Sequence, residues 1–430
     1  MKASATPVFA SAPVLGARED GGGVEAGELA AEEPLCLFGF EFSLDTGSLD
    51  DLESAVRTAT AAWLSQQFER TPRTVEAVRL ATCHRLELVV LGRSPDEAEQ
   101  WQAALPGPPA AWRVREGREV VHHLFRVAAG LESLATGEVE VRSQVRAAGS
   151  TVASRHPRPV LRELFDGAAE AAGGADPSGS APRSIAAIAA EYLLEITRRP
   201  RPRVVVVGTG TVGRQLLEAL APSAEITVVY HRSAPPHDLL EPLGVRAVGF
   251  DRLAEAISDA DAVVTAAKFG PRLLGAEALP TDHPVVLVDL GVPRNIDPAV
   301  RGRPNVRLVD LAELHARSRT IGSGGAPDAR VEEQAGRFSD RFERFLVEPW
   351  IDSLRRDAEE LRRAELETAR RHLGPLEPEQ VAAIDRLTRR LVARLLLAPT
   401  ERIRELPPGP EGEARRRFAV ELLRPRPPAP

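Results

Sequence analysis

Arg203-Val204-Val205-Val206-Val207-Gly208-Thr209-Gly210-Thr211-Val212-Gly213 decides the fold of this chain. Four consecutive valines make a strand that is apolar on both faces. It runs into Gly-x-Gly-x-x-Gly, and then into a helical pattern through Leu216, Leu217 and Leu220. A second apolar strand over residues 226–230 ends at about the 20-residue distance at which a dinucleotide-binding βαβ unit places its ribose contact. The glycines permit a tight turn and let a pyrophosphate approach the helix N-terminus, whose amides and dipole favour anions. Gly208, Thr209, Gly210, Thr211, Val212 and Gly213 are therefore candidate cofactor-binding residues.

The second strand ends in Tyr230-His231-Arg232-Ser233, with no carboxylate to hold a ribose 2′-hydroxyl. Arg232 and Ser233 suit a 2′-phosphate instead, which points to NADP rather than NAD. Residues 262–265 and 285–290 supply two more buried strands, spaced as in a doubly wound parallel sheet. The second ends in Asp289-Leu290-Gly291-Val292-Pro293-Arg294-Asn295-Ile296-Asp297-Pro298, and that loop is expected near the nicotinamide.

Towards the C-terminus, residues 328–372 carry a charge-laced helical pattern with Phe338, Phe342, Phe345, Leu346, Leu354, Ala358 and Leu361 at three-and-four spacing. A continuous helix of ~45 residues reaches on the order of 65 Å at ~1.5 Å per residue, so its stripe must lie along other domains or a second subunit. Pro349 is a candidate kink. Ile384, Leu387, Leu391, Leu395 and Leu396 predict another amphipathic helix ending before Pro399, and the Pro/Arg-rich residues from 407 read as frayed.

Towards the N-terminus, residues 1–34 are rich in Ala, Gly and Glu without periodicity and read as disordered. A strand over 35–42, a helix over 49–68 capped by Ser48 or Asp50, and helices over 119–134, 141–152 and 184–196 follow, with a linker at 171–182. Between them two strands meet at Leu80-Ala81-Thr82-Cys83-His84-Arg85-Leu86-Glu87-Leu88. A thiol at such a break, beside an arginine and a histidine, can be drawn towards the thiolate, the form that attacks carbonyl carbon. Burial as a small apolar residue is the alternative. His123 lies beside the apolar stripe of its helix, where a satisfied core histidine is the alternative to a catalytic one.

The composition excludes several classes. Two cysteines, Cys36 and Cys83, build no disulfide framework, and no His/Cys cluster has metal-ligand spacing. A reducing, cytoplasmic setting is expected. No stretch has the length of apolar residues that spans a bilayer. A net charge of −7 gives no global field for DNA, so any RNA contact must be local.

Taken in order, these motifs resemble those of the glutamyl-tRNA reductase family from about residue 36 to 405. Thr82-Cys83-His84-Arg85-Leu86-Glu87 is similar to the family's Thr-Cys-Asn-Arg-Thr-Glu, and residues 123–131 to its His-Leu-Phe-Arg-Val-Ala-Ser-Gly-Leu. Gly137-Glu138 with Gln144-Val145, the dinucleotide loop, the Val-Pro-Arg-Asn-Ile-Asp-Pro segment and Ala398-Pro399-Thr400 follow the family too. Departures are His84 for Asn, Leu86 for Thr, Ala129 for Ser and Glu140 for Gln. In addition, Phe40-Glu41-Phe42-Ser43 stands where the family has a basic, histidine-containing run.

The resemblance implies a multidomain α/β protein: an α+β catalytic domain over 35–180, a Rossmann-like NADPH domain over 181–325, and a spinal helix with an all-α dimerisation domain over 326–405, followed by the tail at 406–430. It also implies NADPH-dependent reduction of glutamyl-tRNA to glutamate-1-semialdehyde, the first step of tetrapyrrole synthesis, with Cys83 as nucleophile and His123 positioning the substrate or moving a proton. Thr82, His84, Arg85, Ser133, Glu138, Glu140 and Gln144 would bind substrate, with Arg85 meeting its carboxylate. The implied partners are glutamyl-tRNA, a second copy of the chain and glutamate-1-semialdehyde aminomutase. A non-catalytic tRNA- or partner-binding paralogue and an NADP-dependent reductase of small carbonyl compounds are the alternatives.

Overall fold

The computed structural model describes residues 35–94, 96–134, 139–155, 159–173, 184–232, 234–267, 273–321, 329–374, 376–406 and 410–423. The extension at 1–34, Glu138, Ser233 and the end of the tail at 424–430 lie outside them. The chain divides into two compact units, one comprising Leu35–Leu346 and the other built on Val347–Leu406 and Glu413–Pro430.

The first unit begins with β1 (Cys36–Ser43), α1 (Leu49–Thr58), α2 (Ala61–Arg70), β2 (Glu76–Ala81), β3 (Arg85–Gly92), α3 (Asp96–Ala104), β4 (Arg113–Glu116), α4 (Arg118–Ala128), α5 (Val139–Gly149), β5 (Ala153–Ser154) and α6 (Val160–Ala172). The strands form an antiparallel sheet in the order β4-β1-β3-β2-β5. Leu37, Val78, Leu80 and Val89 pack on α4 and α6 through Leu124, Phe125, Leu164 and Phe165. Phe40, Phe42, Leu86 and Leu88 pack on the other side against Leu52, Leu64, Phe68 and Trp101. With both faces covered, β3 is buried at every position, so its sequence shows a run of apolar residues rather than alternation.

Two expected helices are shorter than their periodicity. The pattern over 49–68 is two helices, because Thr60 accepts from the Trp63 amide and starts a second helix where Ala59 closes the first. The pattern over 119–134 stops at Ala128. Gly130 takes φ +71°, its amide donates to Val127 and that of Leu131 to Arg126, which closes the helix in a Schellman turn.

The same unit continues with α7 (Ile185–Thr197), β6 (Arg203–Val207), α8 (Thr211–Leu220), β7 (Glu225–Tyr230), α9 (His237–Leu240), β8 (Arg246–Gly249), α10 (Leu253–Ile257), β9 (Ala262–Thr265), β10 (Val285–Asp289), β11 (Val306–Val309) and α11 (Leu311–Ile321). Its six strands are parallel in the order β11-β10-β9-β6-β7-β8. Strand order reverses between β6 and β9, the place at which a doubly wound sheet opens a crevice for its ligand.

Helix α12 (Ala329–Leu373) is unbroken through Pro349. Val331, Ala335, Phe338 and Phe342 belong to the core under α4 and α6, and Phe338 meets Phe125 at 5.6 Å between ring centroids. The side chains of Phe345 and Leu346 lie outside the described set.

The second unit adds α13 (Pro378–Glu405) and α14 (Pro410–Leu423). Contrary to the expected stop, α13 passes through Pro399, although proline within a helix costs ~3 kcal/mol. Beyond it Thr400 and Ile403 are buried, the latter with Val347, Ile351 and Val420, and that burial outweighs the missing amide. The tail expected to fray is helical over α14 for the same reason. Arg362 ties α12 to α13 through Asp385 at 2.8 Å. Among the described residues no helix is long and apolar enough to cross a membrane.

Candidate active site

Strands β2 and β3 are joined by a two-residue turn. Ala81 pairs with Leu86, the Thr82 amide donates to the Arg85 carbonyl at 3.0 Å, and Cys83 and His84 form the tip. Strand β1 braces it, the Leu44 amide donating to the His84 carbonyl at 3.1 Å. Cys83 is half-buried and packs against the apolar core of the parallel sheet.

Behind the thiol runs a buried line of polar contacts. Cys83 Sγ lies 3.4 Å from His84 Nδ1. Arg85 donates to His84 Nε2 from Nε at 3.1 Å and from Nη2 at 2.9 Å, and to the Glu132 carbonyl. Its other nitrogen meets Glu87 Oε1 at 3.2 Å, and that oxygen also contacts His123 Nε2 at 3.0 Å. Glu41 lies 3.8 Å from His123 and accepts from Arg115 at 2.6 Å. A small recess between β1, β3 and α4 is lined by Glu41, Glu87, Arg115 and His123.

Charges this deeply buried persist only when compensated. Burial alone would push the Glu41 carboxyl up, but His123, Arg85 and Arg115 overcome it and hold it at about 2. Glu87 is likewise held below its ordinary range, with His123 and then Arg85 prevailing over burial. Burial, reinforced by the Arg85 charge, holds the His84 imidazole well below its usual value.

The structure thus joins Thr82, Cys83, His84, Arg85 and His123. Arg85, expected to face a substrate carboxylate, is only 2% exposed and directs its guanidinium to neighbours within the chain. Glu41, which stands where the family has a basic, histidine-containing run, is paired with Arg115 and His123. Glu140 and Gln144 sit one turn apart and half-buried on α5, while Ser133 lies in the turn after α4 beside Glu132; the line of contacts passes through none of these three side chains. Sequence reasoning missed Glu87 and Glu132. A carboxylate between Leu86 and Leu88 in a strand covered on both faces was the available signal for Glu87; Glu132 acts through its carbonyl and leaves none.

The cofactor loop crosses the reversal point of the parallel sheet. Gly208 takes φ +120°, and a Cβ there would stand 2.8 Å from the Ala266 carbonyl oxygen, while one at Gly213 would overlap the Gly208 carbonyl. A Cβ at Gly210 would meet nothing within 4 Å, so this glycine leaves open space at the start of α8, and no side chain caps that helix. These are the features a pyrophosphate needs. Arg232 is exposed just past β7.

Two strands over, Asp289 organises the loop after β10, accepting from Thr265 Oγ1 at 2.9 Å, Gly291 N at 2.9 Å and Ile296 N at 2.8 Å. Burial pushes its carboxyl up to about 6 against those three bonds. Arg294 on this loop reaches Asp50 and, at 2.6 Å, Glu53 of α1. His315 and Arg319 of α11 reach Asp45 at 3.1 and 2.9 Å. Among the described residues no cluster suits a metal ion.

Comparison with known families matches residues 42–175 to the N-terminal domain of glutamyl-tRNAGlu reductase, residues 328–424 to the dimerisation domain of that enzyme, and residues 193–316 to shikimate/quinate 5-dehydrogenase. The glutamyl-tRNA reductase of Rubrobacter xylanophilus is 32% identical, covering 82% of this chain and 89% of that protein. That of Halobacterium salinarum is 31% identical over 85% and 88%. The solved glutamyl-tRNA reductase of Methanopyrus kandleri is 24% identical over 90% of this chain and 98% of that one, with a TM-score of 0.49. On the strength of the relatives that are 32% and 31% identical over 82% and 85% of its length, and of the two family domains matched in order, this chain belongs to the glutamyl-tRNA reductase family.

Proposed function

We propose that the chain is an NADPH-dependent reductase that converts glutamyl-tRNA to glutamate-1-semialdehyde through a thioester on Cys83, opening tetrapyrrole synthesis. The observation that carries this reading is the position of Cys83: a sulfur at a hairpin tip, in contact with a histidine nitrogen and packed against the dinucleotide-binding sheet. The Cys83 thiolate adds to the carbonyl carbon of the ester that joins glutamate to tRNA. The carbon–oxygen bond to the terminal ribose breaks, tRNA leaves as an alcohol after taking a proton, and the glutamyl group stays on Sγ. Bound NADPH supplies the hydride that turns this thioester into the aldehyde and returns Cys83 as thiolate. Gly208, Gly210 and Gly213 would cradle the pyrophosphate, and Arg232 the 2′-phosphate. Asp289 would keep the loop after β10 in shape beside the nicotinamide. His123, through Glu87, would hold Arg85 and the turn in register. The chain would act as a homodimer, for which Leu387, Leu391 and Leu395 offer an exposed apolar row on α13, and would hand its product to an aminomutase in the cytoplasm.

The test is a single turnover with tRNA carrying labelled glutamate. Label should move to the protein without NADPH, vanish on its addition, and never appear on Cys83→Ser. Label that stays on tRNA with the native chain would leave a non-catalytic tRNA-binding paralogue.

A further inference from the structure

We infer that His84 is a catalytic residue in its own right, a neutral imidazole whose Nδ1–H donates to the Cys83 thiolate, and that Arg85 is the positioning residue that fixes this tautomer. The inference rests on the reading of Cys83 as the nucleophile.

The argument is one of hydrogen-bond polarity. A guanidinium has donors only. Two of its nitrogens, Nε at 3.1 Å and Nη2 at 2.9 Å, address the same atom, His84 Nε2, and from this we take Nε2 as the acceptor, without a proton. The Glu132 carbonyl, 3.1 Å from Nε2, receives its hydrogen from Arg85 Nη2 instead. The single proton of a neutral ring then resides on Nδ1, the atom 3.4 Å from Cys83 Sγ. An imidazolium would set a second positive charge against the guanidinium at a ring only 1% exposed, and burial and the Arg85 charge both disfavour it. A thiol S–H has no acceptor at Nδ1, whereas a thiolate has a donor aimed at it.

The charged groups around this ring are Arg85 and Glu87 on its own strand, Glu41 on β1 and His315 on α11, and the Glu132 carboxylate from the turn after α4 is held by Arg126 at 2.6 Å. The pair therefore differs from a thiolate–imidazolium couple. His84 stabilises the anion and cannot accept the Cys83 proton, which must leave to solvent before acylation. Where the family motif carries asparagine, the imidazole preserves a side-chain N–H donor and adds a contact to Arg85.

The test is alkylation of the full chain by iodoacetamide across pH, followed at the Cys83 peptide by mass spectrometry, with buried Cys36 as the internal control. In His84→Leu the Cys83 thiol should titrate about one unit higher, so that alkylation near pH 7 slows about tenfold. His84→Asn, which keeps a donor, should stay close to the native profile. In the native chain labelled with ¹⁵N-histidine, His84 should show a protonated Nδ1 and a bare Nε2 from about pH 5.5 to about pH 8.5. A His84→Leu profile that superimposes on the native one overturns the inference, as does a His84 signal with the proton on Nε2 or on both nitrogens. Should His84→Leu fail to fold, the spectrum of the native chain decides alone. None of these readouts needs tRNA or NADPH, so they can fail while label transfer succeeds, and the reverse.

Discussion

Glu41 on β1 accepts a hydrogen bond from Arg115 on β4 at 2.6 Å, and His123 Nε2 lies 3.8 Å from the same carboxylate oxygen. These contacts make a carboxylate that stands where the family has a basic run into part of the scaffold behind Cys83. Its carboxyl sits at about 2 against an ordinary 4.5. A depressed folded value means that the ionised group contributes stability above pH 4.5 and loses it as pH falls towards 2. The contribution is on the order of 3 kcal/mol at neutral pH. Urea unfolding at a series of pH values should therefore show a steep loss in that window for the native chain and a flatter one for Glu41→Gln. Equal slopes would mean that the ion pair is not formed in solution.

The three loop glycines should separate by phenotype. Gly210→Ala places a methyl group in open space, so thermal stability should stay within about 0.5 kcal/mol while NADPH binding, followed by fluorescence titration, weakens at least about tenfold. Gly208→Ala forces a Cβ against Ala266 at φ +120° and should lower stability by about 1–3 kcal/mol. Tight NADPH binding by Gly210→Ala would remove the loop from the cofactor site.

Arg232 is the only arginine among the described residues of the Tyr230–Ser233 strand end and the candidate for the 2′-phosphate. Arg232→Ala should weaken NADPH by roughly ten- to a hundredfold, the range of a charge-assisted hydrogen bond, and leave NADH unchanged. Parallel titrations with the two nucleotides measure it. An equal loss for both would assign Arg232 to the fold instead.

Arg294 joins the loop after β10 to Asp50 and Glu53 of α1, and Glu53 is buried. Arg294→Ala should cost about 1–3 kcal/mol in chemical denaturation, because among the described residues the ion pair left to buried Glu53 is the one with Arg57. In single turnover it should leave acylation of Cys83 near its native rate and slow consumption of the thioester by NADPH. Slowing of acylation alone would place this loop on the tRNA side of the reaction.

What the sequence made legible follows from periodicity and from glycine. The run of valines into Gly208, Gly210 and Gly213 was readable because the parallel strand and the phosphate turn each tolerate few residue types. The hairpin bearing Cys83 was readable from its polar break. Helix ends were not: the split at Thr60 and the stop at Gly130 are set by local hydrogen bonds that compete with an uninterrupted apolar pattern. The passage of α13 through Pro399 depends on burial of Thr400 and Ile403, which lie beyond the stop signal. Within the site, residue types were visible and partners were not. Nothing local in Thr82-Cys83-His84-Arg85 says that Arg85 turns inward to Glu132, 47 residues away.

Leu44, Leu49, Cys83 and Leu134 belong by sequence to the antiparallel layer, yet all pack into the core whose bulk is the parallel sheet and α7. The two halves are thus separable as folds but not as parts. A chimera that joined the first half of this chain to the dinucleotide half of a distant relative would inherit four side chains cut to fit a surface it no longer possesses. One of those four is the reacting sulfur. Exchange between lineages should therefore succeed only when both halves travel together.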